Sequence, residues 1–401
     1  MKHAVSLLMC FLMLVTLTAC GQDAEAGSGA GSSSDSAAGA SQSAAASSQP
    51  AAPEVDPTEE RIAELLSGMT VEQKVGQLFF VRVPAESAAE DVKTYHLGGY
   101  LLFGRDFKDK TANEIIQAVN AYQETAADDT GIPLLIGVDE EGGTVVRISS
   151  NPHLRSEKFK SPQQLYAAGG MDAVVRETHE KDVLLRALGI NVNLSPVCDV
   201  STNSGDFMYA RTFGQDAQAT AGYVESVVGQ MGADGMGSVL KHFPGYGNNA
   251  DTHTGISVDG RPLDSFQSSD FLPFSAGMQA GKQTGSQVAA VLVSHNIVQC
   301  MDADLPASLS PAVHKILREE LGFDGVVMTD DLAMDAVKAY AADGNVATMA
   351  ISAGNDLVIT TDYRDQIPQV VSAVQDGTIS QETLDTAVSR VLAWKAALGL
   401  L

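Results

Sequence analysis

The sequence predicts an α/β protein built as a single (β/α)8 barrel of the TIM type. Three observations predict it. First, eight short apolar runs recur after residue 58, at 75–83, 99–103, 133–138, 190–196, 238–242, 289–295, 325–329 and 356–360. They are continuous and not alternating, the pattern of parallel strands buried on both faces. Second, helix-like stretches separate them, among them 113–127, 162–188, 216–235, 311–321 and 332–353. Strand–helix alternation repeated eight times suits a closed barrel. A doubly wound sheet, as in a sugar-binding receptor, is the competing architecture. Third, polar residues gather where the runs end, on the face that carries barrel active sites.

The chain before the barrel has its own logic. Lys2 and His3 give a short basic start, and an apolar run over 4–17 leads into Leu17-Thr18-Ala19-Cys20-Gly21. The run is too short for a membrane span and reads as a secretory signal. Its ending resembles a bacterial lipobox, so residues 1–19 are expected to be a signal peptide and Cys20 the lipidated first residue of the mature protein. Residues 21–57 are mostly Gly, Ala, Ser and Gln and close on Pro50, Pro53 and Pro57. Such a stretch cannot bury a core and reads as a flexible tether, making 20–57 the anchor and linker and 58–401 the barrel. The expected location is extracytoplasmic, held on the cell membrane through the Cys20 lipid without spanning it.

Composition narrows the partners. The chain carries 25 Lys+Arg against 50 Asp+Glu, a net charge of −25. Most of this excess lies beyond residue 57, because residues 1–57 hold only Lys2 against Asp23, Glu25, Asp35, Glu54 and Asp56. Nucleic acid is therefore not an expected partner, since phosphate binding needs clustered Lys and Arg. Four cysteines in 401 residues do not make a disulfide scaffold. Cys198 and Cys300 read as a pair in an oxidising compartment or as two buried thiols. No metal or cofactor is expected. His179-Glu180 opens like a zinc-protease helix, but Val183 stands where the second His belongs. No G-x-S-x-G elbow or phosphate-binding glycine loop is present.

The run ends hold the candidate chemistry. The third ends in Asp139-Glu140-Glu141-Gly142-Gly143, the fifth in Lys241-His242-Phe243-Pro244-Gly245, the sixth in Ser294-His295-Asn296 and the seventh in Asp330-Asp331. A carboxylate at a buried strand end is rigid and partly desolvated, which suits Asp330 as a nucleophile. Asp331 suits the cap of a helix starting near Leu332. Neighbouring strand residues point to opposite faces, so Lys241 and His242 share one site only if the backbone twists there. In the loop that follows, Asp251 and His253 are two residues apart. A carboxylate so placed can orient an imidazole for work as general acid and then base.

Taken together, these segments resemble glycoside hydrolase family 3, in its bacterial β-N-acetylhexosaminidase branch. Asp139-Glu140-Glu141-Gly142-Gly143 followed by Arg147 is similar to the family's D-x-E-G-G-x-V-x-R. Arg211-Thr212-Phe213-Gly214 is similar to R-x-F-G. Lys241-His242-Phe243-Pro244-Gly245 followed by Asp251-Thr252-His253 resembles the branch signature, and Thr329-Asp330-Asp331-Leu332 followed by Met334 the nucleophile segment. The sequence departs from the family at Tyr246, where a second His is common, at Thr144, where an Arg is, and in a loop about one residue shorter, which bears on aglycone preference.

The resemblance implies a retaining exo-β-N-acetylglucosaminidase working by double displacement on muropeptides or chitin fragments. It makes Asp330 the nucleophile and His253 the acid/base, oriented by Asp251. It gives Asp139, Arg147, Arg211, Lys241 and His242 the hydroxyls and N-acetyl group of the terminal sugar. Because the chain ends at Leu401, just after the last barrel helix, the acid is expected to come from the barrel. An imidazole base repels an anionic acceptor less than a carboxylate does, so phosphate could stand in for water. The expected partner is an N-acetylglucosamine-containing oligosaccharide, and the protein is expected to be a monomer. A β-glucosidase or β-xylosidase of the same family and a nonenzymatic sugar-binding lipoprotein are the alternatives.

Overall fold

A computed structural model describes residues 56–249, 255–283, 289–340 and 346–401. Cys20, Asp251 and His253 lie outside the described residues. The chain forms eight parallel barrel strands, β1 (Phe79–Arg82), β2 (Gly99–Leu102), β3 (Leu135–Val138), β4 (Val192–Asn193), β5 (Gly237–Phe243), β7 (Ala289–Val293), β9 (Val327–Thr329) and β10 (Val358–Thr360). Two short strands outside the barrel, β6 (Val258–Asp259) and β8 (Ile297–Val298), pair with each other in parallel. The barrel order is β10-β1-β2-β3-β4-β5-β7-β9. A parallel bridge between Met328 and Leu357 closes β9 onto β10. All eight predicted runs therefore contain a strand, and the arrangement is the closed barrel and not the doubly wound sheet.

The strands are mostly apolar because both of their faces are covered. One face meets the helices and the other the barrel interior. Position 137 shows the interior packing: a Cβ there would lie 2.3 Å from Cζ of Phe80, so the Phe80 ring takes the space that a side chain on β3 would need. By the two-residue pleat, Asp139 then points inward as well, toward the open end.

Three expectations change in detail. The run 75–83 is not all strand. Thr70 and Gln73 form a capping box that starts the helix Val71–Gln77, and only Phe79–Arg82 is extended. A local cap thus decides the conformation of Val75, which an apolar run cannot. The predicted helix 162–188 turns at Gly169 and Gly170, whose backbone leaves helical geometry. The predicted helix 332–353 is instead two helices, Asp335–Lys338 and Val346–Ala353. Asp331 does not cap either one. Its carboxylate accepts the Ala333 N–H at 2.9 Å in a tight turn, and Met334 holds the N-cap position of the first helix.

Several cations are turned inward. Arg318 and Arg390 both pair with the buried Asp356. Lys395 is fully buried and donates to Gln77 Oε1 at 2.7 Å. Both folded-part cysteines are free thiols, Cys198 buried and Cys300 exposed, so they neither pair nor share burial. No described helix is long and apolar enough to cross a membrane.

Candidate active site

The inward-pointing residues at the strand ends enclose a cavity of about 350 Å³. Leu101, Leu194, Leu292 and Ile359 supply its apolar lining, one residue each from β2, the end of β4, β7 and β10. Asp139, Arg147, Arg211, Lys241, His242 and Asp330 line the same cavity. The structure therefore brings together every sugar-binding candidate and the candidate nucleophile. Arg82, Phe103 and Val145 line it as well, beyond the residues that the sequence singles out. The Arg82 guanidinium lies 4.4 Å from the Phe103 ring centroid and that of Arg147 5.8 Å from it, so the ring braces both cations.

The three consecutive acids after β3 do three different jobs. Asp139 faces the cavity and accepts from Lys241 Nζ at 2.7 Å. Arg147 Nη2 stands 3.8 Å from its other oxygen. Glu140 points away and is fully buried. It accepts the backbone N–H groups of Arg147 and Ile148, each at 2.7 Å, and so folds the loop that carries Arg147 to the cavity. Gly142 makes that fold possible: its φ is +103°, and a Cβ there would lie 2.2 Å from the Lys160 carbonyl oxygen.

Glu141 is the electrostatic centre. Arg211 donates to it from Nε at 3.0 Å and Nη2 at 2.7 Å, a bidentate pair, and Lys241 Nζ lies 2.7 Å from Oε1. Burial alone would raise its pKa. The charges of Lys241 and Arg211, with their hydrogen bonds, outweigh burial and hold the carboxyl well below the usual range. Lys241 shows the mirror image. Burial would lower its pKa, but Asp139 and Glu141 raise it, so it stays an ammonium.

His242 reaches the cavity beside Lys241. The Lys241–His242 peptide is cis and the pairing of β5 with β7 shifts between Leu240 and Phe243, so strict alternation does not hold there. Asp199, fully buried, accepts from His242 Nδ1 at 2.8 Å. That bond places the proton on Nδ1 and leaves Nε2 to face Arg211 Nη2, 3.3 Å away. Asp199 is not among the residues that the sequence singles out. Its signal is faint: it ends Val197-Cys198-Asp199, just past the fourth apolar run.

Asp330 extends β9 by donating its N–H to the Val293 carbonyl at 3.1 Å, and its Oδ1 accepts the Asp331 N–H at 2.8 Å. His295 sits behind this turn, its Nε2 3.0 Å from the Asp331 carbonyl oxygen and its Nδ1 2.7 Å from Ser308 Oγ. The sixth run's polar end therefore buttresses the turn that holds Asp330. Burial and neighbouring Asp330 raise the pKa of Asp331, against the lowering effect of the Ala333 N–H. Among the described residues no group of His, Cys, Asp and Glu is placed to hold a metal ion. A rigid carboxylate facing a set of fixed donors and acceptors across a small cavity can attack one carbon of a polyhydroxylated ligand held by its hydroxyls.

Comparison with known proteins adds to this geometry. The family profile described as the glycosyl hydrolase family 3 N-terminal domain matches residues 70–394. The chain is 30% identical over 352 residues to a protein of Cellulomonas fimi named beta-N-acetylglucosaminidase/beta-glucosidase, across 84% of this chain and 59% of that relative. It is 33% identical over 314 residues to a beta-hexosaminidase of Stenotrophomonas maltophilia, across 76% of this chain and 86% of the other. A solved glycoside hydrolase family 3 beta-N-acetylglucosaminidase from Paenibacillus sp. superposes with a TM-score of 0.76 at 31% identity, across 83% of this chain and 63% of that one. The chain thus spans less than two thirds of the Cellulomonas and Paenibacillus proteins.

Proposed function

The chain belongs to glycosyl hydrolase family 3, and from that membership we propose that it is a retaining, exo-acting β-N-acetylglucosaminidase. The observation that carries the reading is Asp330 at the end of β9, lining one cavity with Asp139, Arg147, Arg211, Lys241 and His242. In this reading a terminal N-acetylglucosamine enters the cavity, and its hydroxyls bond to Asp139, Lys241, Arg147 and His242. The Asp330 carboxylate attacks C1 and the bond from C1 to the leaving oxygen breaks. His253, oriented by Asp251, gives that oxygen its proton. Water then attacks C1 from the opposite face, His253 takes the water's proton, and Asp330 departs. Two inversions leave the anomeric configuration retained. The apolar floor and the fixed ion pairs need no rearrangement during the reaction, which is where preorganised sites gain their rate.

The names of the relatives support the sugar. The Cellulomonas relative's name carries both activities, which favours β-glucosidase as the second reading. Assay on aryl β-N-acetylglucosaminide and aryl β-glucoside separates them. The expected result is at least about 10-fold higher kcat/KM on the N-acetyl substrate, the selectivity a few buried contacts supply. The reverse preference favours the glucosidase. Binding of the sugar without turnover of either substrate defeats the enzymatic reading.

We also propose that the protein acts outside the cytoplasm, tethered through a lipid on Cys20. The sequence around Cys20 supports this. Cys20→Ser is expected to move the protein from the membrane fraction to the soluble one, and equal membrane retention of both forms defeats the anchor.

A further inference from the structure

A second cavity, of about 310 Å³, lies on the same face of the barrel. Residues 82–85 at the end of β1 and 361–365 just past β10 form most of its wall, and Arg105 of the short helix Gly104–Phe107 completes it. Arg82 lines both this cavity and the first one. In the barrel, β10 stands between β1 and β9, the strand that Asp330 extends. The second cavity therefore flanks the Asp330 side, whereas Asp139, Lys241 and His242 belong to β3 and β5 across the barrel. Two of its residues also act on the carboxyl next to Asp330: Arg82 lowers the pKa of Asp331 and Asp362 raises it. The three guanidiniums of the wall differ in what holds them. Arg364 donates to Asp91 Oδ2 from Nε at 3.1 Å and from Nη2 at 2.6 Å. Arg105 Nη2 donates to the Val83 carbonyl. Arg82 rests against the Phe103 ring, and its Nε is buried with no hydrogen-bond partner among the described residues. A buried donor without a partner costs free energy, and an acceptor oxygen on a ligand removes that cost.

We propose that the second cavity holds the sugar residue attached to C1 of the terminal N-acetylglucosamine, and that Arg82, on the boundary, donates to an oxygen of that leaving residue. The inference rests on the glycosidase reading of the first cavity. If the terminal sugar's hydroxyls lie against Asp139, Lys241 and His242 while C1 faces Asp330, the group on C1 projects toward the Asp330 side, where the second cavity lies. The wall suits a polyhydroxylated ring. Arg82, Arg105 and Arg364 supply donors, while Asp362 and Asp365 supply acceptors, and each sugar hydroxyl can use both kinds. Arg105 and Arg364 are fixed in advance by their own bonds, so little side-chain freedom is lost when a ligand enters.

The test compares N,N′-diacetylchitobiose with N-acetyl-β-glucosaminyl fluoride. Both present the same terminal sugar, but the disaccharide brings a second residue and the fluoride brings none. The ratio of kcat/KM, disaccharide over fluoride, therefore reads the second cavity, and a simple loss of folded protein cancels from it. In Arg82→Met the ratio is expected to fall roughly 10- to 100-fold, the loss of a hydrogen bond from a charged donor. Arg82→Lys, which keeps the charge without the fork, should recover part of it. Asp362→Ala, at an exposed position of the same wall, should lower the ratio by a few fold. An unchanged ratio in Arg82→Met, with both substrates slowed equally or neither, overturns the inference alone. So does a wild type that hydrolyses the fluoride but not the disaccharide. A wild type that hydrolyses neither defeats the glycosidase reading, and the inference falls with it.

Discussion

Replacing Asp330 with alanine is expected to lower kcat on aryl β-N-acetylglucosaminide by at least about 10⁴-fold, with the thermal transition kept within a few degrees of the wild type. The expectation of an intact fold follows from what Asp330 does structurally. Its backbone N–H, which any residue supplies, extends β9 onto β7, and its Oδ1 accepts the N–H of the adjacent Asp331. The large loss expected in activity follows from the proposed role, because among the described residues no other carboxylate lining the cavity is available for the same work. Asp139 is committed to Lys241, and Asp331 to the Ala333 N–H. Asp331→Asn is the internal control and should lose far less. A fluorinated-sugar inactivator followed by peptide mass spectrometry reads the site directly, and a label on Asp331 instead of Asp330 contradicts the assignment.

The largest expected effect on stability is at Glu141. Glu141→Ala leaves Lys241 and Arg211 buried side by side with one carboxylate fewer, and breaking such a buried pair costs about 3–5 kcal/mol. Denaturant unfolding at pH 7 measures it. The pH dependence has a definite sign. The folded pKa of Glu141 is depressed, so its contribution is fully present above the unfolded carboxyl range near pH 4–5 and is lost as pH falls toward the folded value. The gap between wild type and Glu141→Ala should therefore be constant from pH 6 to 8 and narrow below pH 4. A gap that widens on acidification would mean that the two cations do not depend on Glu141.

The barrel was legible because each strand is buried on both faces, and continuous apolar runs report that directly. Helix starts were less legible. Val75 sits in an apolar run, yet the capping box at Thr70 and Gln73 makes it helical, a choice that hydrophobicity does not encode. The polar candidates of the cavity other than Arg82 were legible because barrel geometry gathers whatever ends a strand. The residues behind them were not. Asp199 matters through His242, and Glu141, visible only as part of a polar run end, matters through Lys241 and Arg211, partners distant in sequence. Arg261, Asp259 and Asp270 follow a loop and read as ordinary surface charge until the fold buries them together. His295 was visible as part of a polar run end, but only the structure gives it the Asp331 carbonyl.

The inward turning of cations has a consequence for the protein as a colloid. Lys241, Lys395, Arg318, Arg390 and Arg261 spend their charge on internal partners or in the core. Fewer cations are then left for the exposed acids, in a chain whose net charge is −25. Two copies approaching each other meet like charge from most directions. The repulsion decays over about 8 Å at physiological ionic strength and reaches about 30 Å at 0.01 M salt. The same charge repels other polyanions, while the fixed cations of the cavity stay reserved for whatever is narrow enough to enter it.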